Sequence, residues 1–319
     1  MGKMYILDNV INNKTGQIEG FCIIKSITEK TDKNGKMYLD LELFDAGGSI
    51  AAKLWDYNPD IHKGYEPDMI IKIRATVNVF RDTEQLRIDM IRMSTDSDVI
   101  DMTKLLPVAP FDSQFMFDEL YKCTEAFENN EIKKLVQYMM NENKENLLNW
   151  PAALKLHHAM RGGLLYHTYT MYRVAKGICE IYPMLRTDLV YGGIILHDLA
   201  KIDELCANRL GLSTGYSTCG QLIGHIPLGV AKIEVAAQKL EISNEIKIAF
   251  QHIILSHHSS PEFGSPKYPM FPEAEVVATV DNLDARMYEM FDVLDGVNSG
   301  GFSDRQWALD NRLLYKVDY

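Results

Sequence analysis

The sequence predicts a two-domain protein, with a small β-barrel at residues 1–105 followed by an all-α helical bundle at residues 106–319. Short stretches that alternate apolar and polar residues fill the first hundred positions, and turn residues separate them. From Ser113 onward the apolar residues recur with helical spacing instead. The chain has 319 residues, of which 46% are hydrophobic, and this is enough for two packed cores.

The strands of the predicted barrel follow from alternation and turn signals. In the stretch 36–44, Leu39, Leu41 and Leu43 alternate with polar residues and therefore share one face of a strand, and an Asn-Gly turn precedes them. Four more strands are predicted at 21–27, 49–55, 69–80 and 85–92. Five short strands in about 100 residues favour an OB-fold barrel, with a small open β-sandwich as the alternative.

The helices of the second domain follow a linker around residues 101–112 that contains Pro107 and Pro110. Besides a helical pattern that begins at Ser113, helices are predicted at 151–160, 164–182, 187–202, 227–240, 244–258 and 273–290.

Composition argues against several classes of protein. The formal net charge of -11 disfavours a general polyanion binder, although a local basic groove is compatible with it. No apolar run of about 18 residues and no signal-peptide pattern is present, so we expect neither a membrane span nor secretion. The five cysteines form no CxxC pair, which favours free thiols in a cytoplasmic protein over disulfides or a thiolate zinc site.

Histidine is distributed unevenly along the chain. Of nine histidines only His62 lies in the first 150 residues, and the other eight fall between His157 and His258. Such a cluster in the helical part indicates a metal site or an acid–base site.

The candidate metal ligands are spaced like successive helices. They are His167, the dipeptide His197-Asp198, His225, the dipeptide His257-His258 and Asp281, separated by 23 to 32 residues. Each interval is about one helical hairpin, so each ligand can come from a different helix of one bundle. Imidazoles and carboxylates suit Mn, Fe, Co, Ni or Zn, and two ions about 3.5–4 Å apart can activate a hydroxide and hold a phosphate. Apolar neighbours flank His197-Asp198 and indicate burial, which a charged group tolerates only when it is paired or bound to metal.

This order of ligands in a helical domain resembles the HD superfamily of metal-dependent phosphohydrolases. The segments HHAMRGGLLYHT (157–168), GHIPLG (224–229), LSHHSSPEFGSPK (255–267) and DNLDA (281–285) are more specific. They resemble the YhaM family of bacterial 3′-to-5′ exoribonucleases, which have an N-terminal OB-fold and a C-terminal HD domain. The resemblance covers nearly the whole chain and includes the order of the domains.

The resemblance implies two divalent ions, with Mn preferred and Fe, Co, Ni, Zn or Mg as alternatives. One ion would be held by His167, His197, Asp198 and Asp281, and the other by Asp198, His225, His257 and His258. Asp198 and Lys201 would be the catalytic pair, with Lys201 on the scissile phosphate. His158, Arg161 and Gly163 would bind phosphate or the terminal nucleotide. The family's usual Glu before the first ligand His is Tyr166 here.

The predicted substrate is single-stranded RNA, with single-stranded DNA as a further candidate, and no membrane partner is expected. In the barrel the candidate strand-binding residues are Tyr57, Arg74, Phe80, Arg81 and Arg87, which also fit ordinary strand positions. The apolar stretch 307–315 leaves self-association open. The main alternative is an HD phosphohydrolase of mononucleotides or cyclic nucleotides with a regulatory β domain. A nucleic-acid-binding protein with a vestigial site is a further alternative, and a diiron oxygenase a distant one.

Overall fold

The computed structural model describes residues 4–8, 10–12, 16–80, 83–154, 158–260 and 264–319. The chain divides into two compact units, Met1–Val108 and Ala109–Tyr319.

The first unit is a closed barrel built from one antiparallel meander and one hairpin. Its strands are β1 (Val10–Asn12), β2 (Gln17–Thr31), β3 (Met37–Asp45), β4 (Gly48–Leu54), β5 (Ile70–Phe80) and β6 (Thr83–Met93). The strand order is β1-β2-β3-β4-β6-β5, and β5 also pairs with β2, so the five long strands close on themselves. The β4–β6 pair is parallel and the other pairs are antiparallel. This five-stranded closed arrangement is the OB-fold, and the predicted barrel is confirmed over the open sandwich.

Alternation along each strand decides which side chains fill the barrel. Leu39, Leu41 and Leu43 are all buried, as the sequence predicts, and they meet Ile24 of β2 and Leu86 of β6 in one interior. The register shifts once in β2 and once between β5 and β6. Such irregularities increase the local twist and help long strands curve into a closed barrel.

The second unit is mostly helical. Its helices are α1 (Ser113–Glu125), α2 (Asn130–Glu142), α3 (Lys144–Leu147), α4 (Gly163–Ile181), α5 (Thr187–Leu196), α6 (Lys201–Glu204), α7 (Thr218–Leu222), α8 (His225–Leu240), α9 (Asn244–Ser256) and α10 (Pro272–Asp295). A short hairpin of β7 (Leu205–Ala207) and β8 (Ser213–Tyr216) lies between α6 and α7.

Helix α5 is the central element of this unit. Its residues from Leu189 to Leu196 are apolar on every side, and all of them except Tyr191 are buried. A helix without a polar face has to be surrounded by other helices. Accordingly, α5 packs against α1, α2, α4, α9 and α10. Its C-terminal end therefore delivers the next residues, His197 and Asp198, into the interior.

Two predicted helices differ in the structure. The predicted helix 151–160 is wrong for its described residues, because His158 has a left-handed backbone (φ 56°) that a helix cannot accommodate. The predicted helix 187–202 is interrupted, since α5 ends at Leu196 and α6 begins at Lys201.

Within the described residues, no helix combines the length and the apolar character needed to cross a lipid bilayer.

Candidate metal centre

The predicted ligands come from three helices and from the turns after two others, and the structure brings them together. His167 lies on α4, and Asp281 lies on α10. The other members stand at helix termini: His197-Asp198 directly after α5, His225 at the first position of α8, and His257-His258 directly after α9. In the turn after α5, His197 and Asp198 both face the centre, with His197 Nε2 3.3 Å from Asp198 Oδ2.

Asp198 is the centre of the cluster. Its Oδ1 lies 3.4 Å from His225 Nε2 and 3.5 Å from His257 Nε2. Its Oδ2 lies 3.3 Å from His197 Nε2 and 3.8 Å from His167 Nε2. The two oxygens of this single carboxylate therefore face two different pairs of imidazoles.

Asp281 completes the side of the cluster that contains His167. Its Oδ1 lies 3.1 Å from His167 Nε2 and 3.9 Å from His197 Nε2. Ligand-capable atoms of His167, His197 and Asp198 all lie within 4.8 Å of one another. On the other side, the same limit holds for Asp198, His225, His257 and His258. The two groups share Asp198.

Hydrogen bonds behind the rings fix the orientation of the imidazoles. His197 Nδ1 donates to the Ile194 carbonyl (2.8 Å), and His257 Nδ1 donates to the Ile254 carbonyl (2.7 Å). His225 Nδ1 donates to Glu204 at 3.0 Å. With Nδ1 engaged outside the cluster, each Nε2 presents a lone pair toward Asp198, the arrangement typical of metal-bound histidine.

Several buried polar atoms in the centre have no hydrogen-bond partner in the described part of the chain. They are His197 Nε2, His225 Nε2, His257 Nε2 and Asp198 Oδ1. Leaving a buried acceptor unsatisfied costs roughly 1–3 kcal/mol. These four atoms, gathered around one carboxylate, have the imidazole and carboxylate chemistry that fits transition-metal ligands.

The charges of the centre also suit cations. Burial raises the pKa of Asp198, but Lys201 and His197 oppose it more strongly, and the net pKa lies well below its ordinary value. Burial, reinforced by the neighbouring His257, lowers the pKa of His258 to about 3, and burial also lowers the pKa of His257. At neutral pH the carboxylate is therefore ionised and these two imidazoles are neutral, the forms that bind metal.

Lys201 reaches the same carboxylate. Its Nζ lies 2.7 Å from Asp198 Oδ2, and its side chain is 10% exposed. Burial lowers the pKa of Lys201, but Asp198 raises it more strongly, so the ammonium stays charged. The sequence predicts that Lys201 lies on the same side as Asp198, and the structure shows the two side chains in contact. Contact of Lys201 with a phosphate stays a prediction.

Of the predicted substrate contacts, His158 lies beside the centre, with its ring centroid 5.3 Å from that of His167. His158 is 2% exposed, and its Nε2 lies 2.8 Å from Asp284 Oδ2. Arg161 donates from Nη1 to the Leu210 carbonyl at 3.1 Å and so fixes the turn between β7 and β8. These contacts support positioning roles for both residues, and their binding of phosphate or nucleotide stays a prediction.

Gly163 forms the tightest backbone approach near the centre. A Cβ at this position would lie 1.9 Å from the His158 carbonyl oxygen, so no other residue fits without a shift. The preceding Gly162 has a left-handed backbone (φ 70°) and is the N-cap residue of α4. The glycine pair therefore lets the chain turn directly into the helix that carries His167, which is a structural reason for its presence.

Sequence reasoning missed two carboxylates that position the ligands. Asp284 Oδ2 lies 2.7 Å from His167 Nδ1, and Glu204 accepts both the Nδ1 hydrogen bond and the backbone N–H of His225. Each lies three residues beyond a predicted site residue on the same helix, Asp281 and Lys201 respectively. That spacing is the signal that could have identified them.

The barrel candidates are only partly available for strand binding. The Tyr57 hydroxyl donates to Glu29, and Arg74 forms an ion pair with Glu19. Arg87 lies beside Asp89 on an exposed strand face. Arg81 and the side chain of Phe80 lie outside the described residues.

A different aromatic pair, which sequence reasoning missed, lies on the outer face of the barrel. The rings of Tyr38 and Trp55 stack with centroids 4.5 Å apart, and Lys53 Nζ lies 5.4 Å from each ring. Beside them is a groove of about 250 Å³ lined by Lys53, Trp55, Asn78, Gln85 and Arg87 together with Leu86. Aromatic faces next to cationic and amide groups are typical of surfaces that bind single-stranded nucleic acid.

The fold and the cluster together define a barrel protein that carries an HD domain, and the family model described as HD domain matches residues 164–286. The chain is 39% identical over 300 residues to the 3'-5' exoribonuclease YhaM of Geobacillus sp. (strain WCH70), in an alignment that covers 94% of this chain and 92% of that protein. At this identity and coverage the chain belongs to the YhaM family, as the sequence motifs predict.

Two solved structures are similar to about a quarter of this chain. The second OB-fold domain of replication protein A from Methanococcus maripaludis is 18% identical, covers 26% of this chain and 86% of that chain, and has a TM-score of 0.20. The mitochondrial single-stranded DNA binding protein Rim1 from S. cerevisiae is 19% identical, covers 24% of this chain and 92% of that chain, and has a TM-score of 0.21. The OB-fold of this chain is established by its strand order and closure.

Proposed function

We propose that this protein is a metal-dependent 3′-to-5′ exoribonuclease that hydrolyses the terminal phosphodiester of single-stranded RNA. The observation that carries the proposal is the position of Asp198, whose two oxygens face two separate groups of imidazoles 3.3–3.8 Å away. A carboxylate between two ligand groups suits a pair of ions that share it. The name of the YhaM relative, a 3'-5' exoribonuclease, supports the substrate and the direction.

The two ligand groups assign the residues that would hold each ion. His167, His197 and Asp281 with Asp198 Oδ2 would hold one, and His225, His257 and His258 with Asp198 Oδ1 would hold the other. Bound divalent ions supply a hydroxide nucleophile at neutral pH and neutralise charge on the phosphodiester. Manganese is the proposed metal, and Fe, Co, Ni, Zn or Mg are alternatives because these ligands accept several ions.

The chain's own groups then orient the reaction. Hydroxide attack on phosphorus breaks the bond to the 3′ oxygen of the penultimate ribose, which takes up a proton, and releases a nucleoside 5′-monophosphate. Lys201, held on Asp198 at 2.7 Å, offsets the negative charge that develops on the phosphoryl oxygens. Glu204 keeps His225 in position through its Nδ1 hydrogen bond.

The barrel would hold the strand while its end is cut. We assign this contact to the groove beside Tyr38 and Trp55. The Trp55 ring, the Lys53 ammonium and the Arg87 guanidinium line this groove, and the Tyr38 ring stacks on Trp55. Binding of the strand by one domain raises the effective concentration of its 3′ end at the other. Single-stranded DNA, with the same stackable bases and phosphates, is a proposed second substrate.

A cytoplasmic location is also proposed. All five cysteines are free thiols, which supports a reducing, cytoplasmic location.

Self-association is a further proposal. Trp307 is 75% exposed and Tyr315 is 47% exposed, so the stretch 307–315 offers apolar surface for self-association. The molar mass in solution, measured by light scattering, tests self-association.

The test of the function is shortening of a 5′-labelled single strand in Mn²⁺. The wild-type protein is expected to give a ladder that shortens from the 3′ end and disappears with chelator. Asp198→Ala is expected to slow it by roughly a thousandfold or more. His252→Gln, which changes a histidine of α9 outside the cluster, is expected to keep full activity.

Other outcomes discriminate the alternatives. Hydrolysis of free mononucleotides or cyclic nucleotides without strand shortening would replace the nuclease with a nucleotide phosphohydrolase. Strand binding without hydrolysis and without bound metal would indicate a binding protein. A parallel DNA strand decides whether the enzyme distinguishes the two polymers.

A further inference from the structure

His158 is a buried histidine that lies in a turn before α4, outside the two proposed ligand groups. Its Nε2 lies 2.8 Å from Asp284 Oδ2, the same oxygen that lies 2.7 Å from His167 Nδ1. Two imidazoles therefore bind one carboxylate oxygen. One of them, His167, extends from this oxygen to the metal centre, where its Nε2 lies 3.1 Å from Asp281 Oδ1.

Three rings surround the imidazole of His158. The ring centroid of Tyr288 lies 4.2 Å away, Tyr166 contacts the imidazole edge-on at 5.0 Å, and His167 lies at 5.3 Å. Side chains that are locked by packing hold a functional group more precisely than free ones. The packing therefore keeps the Nε2 of His158 on Asp284.

The backbone at His158 is uncommon for a residue other than glycine. Its φ of 56° lies in the left-handed region, which costs roughly 1–3 kcal/mol when the residue has a side chain. The His158 carbonyl holds this conformation by accepting hydrogen bonds from the N–H of Ala152 at 3.1 Å and of Met160 at 2.8 Å. Strained backbone concentrates at functional sites, so its presence supports a functional role for His158.

Asp284 has an alternative to its contact with His167. Its carboxylate also lines a cavity of about 500 Å³, where water could hydrate it instead. Hydrogen bonds from two imidazoles to one oxygen favour the orientation toward the histidines, because bonds to an ionised acceptor are stronger than neutral ones. Loss of the His158 donor would therefore loosen the carboxylate that fixes the ring of His167.

We infer that His158 is a positioning residue of the metal centre, which holds Asp284 on His167 and so keeps the Nε2 of His167 directed at the ion. This role rests on the proposed function, because it requires His167 to be a metal ligand. It differs from the substrate contact predicted from the sequence, since the Nε2 of His158 is already engaged by Asp284. The two roles respond differently to the same substitutions.

Two amide substitutions separate the hydrogen bond from the backbone conformation. His158→Asn suits the left-handed backbone, but its shorter side chain falls short of Asp284. His158→Gln carries its amide N–H about as far from the backbone as the imidazole Nε2 and can donate to the carboxylate. His62→Asn makes the same chemical change in the first unit and serves as the control.

The test measures Mn²⁺ affinity of the full chain by competition with a chelator. His158→Asn is expected to weaken binding by about tenfold, the lower end of the range for partners of metal-bound histidines. His158→Gln should restore most of this loss, and His62→Asn should show none. In a protein that already carries Asp284→Asn, the change His158→Asn should add less than about twofold, because it acts through that carboxylate. At saturating Mn²⁺ the KM for RNA should stay within about twofold of the wild-type value.

Unchanged Mn²⁺ affinity in His158→Asn would overturn the inference, as would an equal loss with and without Asp284→Asn. A raised KM for RNA with unchanged Mn²⁺ affinity would instead make His158 the substrate contact. Failure of the nuclease is a separate result. If the wild-type protein binds Mn²⁺ but shortens no strand, the nuclease falls and the affinity comparison still decides the role of His158. A wild-type protein that binds no Mn²⁺ would overturn both.

Discussion

Asp284 positions His167, a proposed metal ligand, through a hydrogen bond to its ring. Its Oδ2 lies between His167 Nδ1 and His158 Nε2, at 2.7 and 2.8 Å. Burial raises the pKa of Asp284, but hydrogen bonds from His158 and His167 lower it by more than burial raises it. The pKa of Asp284 is therefore below its ordinary value. An ionised carboxylate at this place fixes the ring of His167 and increases the basicity of its other nitrogen.

Asp284→Asn is therefore expected to weaken metal binding by roughly 10- to 100-fold. The amide keeps the size of the side chain but loses the charge that orients His167. Mn²⁺ affinity, measured by competition with a chelator, checks the prediction, and Glu275→Gln serves as the charge-matched control on α10. Unchanged affinity in the Asn variant would show that His167 does not need this partner.

Gly163→Ala tests the tight start of α4. The added Cβ would meet the His158 carbonyl oxygen at 1.9 Å, so the backbone has to shift, with an expected loss of roughly 1–3 kcal/mol in the free energy of unfolding. Gly177 lies on the same helix and is exposed, and its Cβ would meet nothing within 4 Å. Gly177→Ala should instead stabilise by roughly 0.5–1 kcal/mol.

Urea denaturation of both alanine variants measures this contrast. Equal stability of the two would mean that the approach of His158 to α4 is relaxed in solution.

The residue types predicted the ligands of the candidate centre. They did not predict Asp284 and Glu204, the two carboxylates that hold His167 and His225 in position. His167, His197 and His225 stand out because imidazole is rare and their intervals match helical hairpins. Asp284 and Glu204 are two carboxylates among 44 Asp and Glu residues, so they gain meaning only from the histidine nitrogen that each one faces.

At the scale of elements, apolar periodicity located α4, α8 and α9 but not the break between α5 and α6. Residues on both sides of His197-Asp198 are apolar, and the backbone stays in the right-handed helical region through the turn, with φ -55° and ψ -42° at His197. The bonds Lys201 N to Asp198 O and Leu199 N to Leu196 O span three residues rather than four. These three-residue hydrogen bonds do not change the spacing of apolar residues, so the sequence pattern does not reveal the break between the helices.

The hairpin of β7 and β8 was also invisible to periodicity. Its strands have three and four residues and lack an apolar alternation. Its position is instead fixed by tertiary contact, since Arg161 binds the Leu210 carbonyl in the connecting turn.

The outer face of β3 and β4 leads to a prediction about strand binding. Trp55→Ala removes one ring of the Tyr38–Trp55 stack, and we expect weaker binding of single-stranded RNA, by roughly 1–3 kcal/mol if one base stacks there. Trp55→Phe should restore part of the affinity. Tyr57→Ala is the matched control, because that ring already stacks on His62 and its hydroxyl binds Glu29.

Fluorescence anisotropy with a labelled strand and chelator present measures binding without cleavage. If Tyr57→Ala weakens binding and Trp55→Ala does not, the strand follows a different face of the barrel.

At the scale of the whole molecule the net charge is -11, yet the chain has one site suited to anions and another suited to cations. The barrel groove contains Lys53 and Arg87, whereas the metal centre gathers Asp198 and Asp281 among its imidazoles. Total charge therefore describes neither site. The composition disfavours a general polyanion binder, and the local arrangement of charges carries the proposed specificity.

Removal of metal is expected to lower the stability of the helical unit. Without a cation, buried nitrogens of His197, His225 and His257 lack partners in the described chain, and the unit loses the free energy of binding. At a free Mn²⁺ concentration of 100 times Kd, binding stabilises the folded state by about 2.7 kcal/mol. For a unit of this size, that corresponds to a rise in melting temperature of roughly 5–10 °C.

Calorimetry of the full chain in Mn²⁺ and in chelator measures the shift, and Asp198→Ala provides the control because it removes the carboxylate shared by both ligand groups. The variant should melt at nearly the same temperature in both conditions. A wild-type melting temperature that is independent of Mn²⁺ would mean that the His–Asp cluster is satisfied without an ion. In that case the hydrolytic chemistry proposed for it would lose its physical basis, even though the fold would stand.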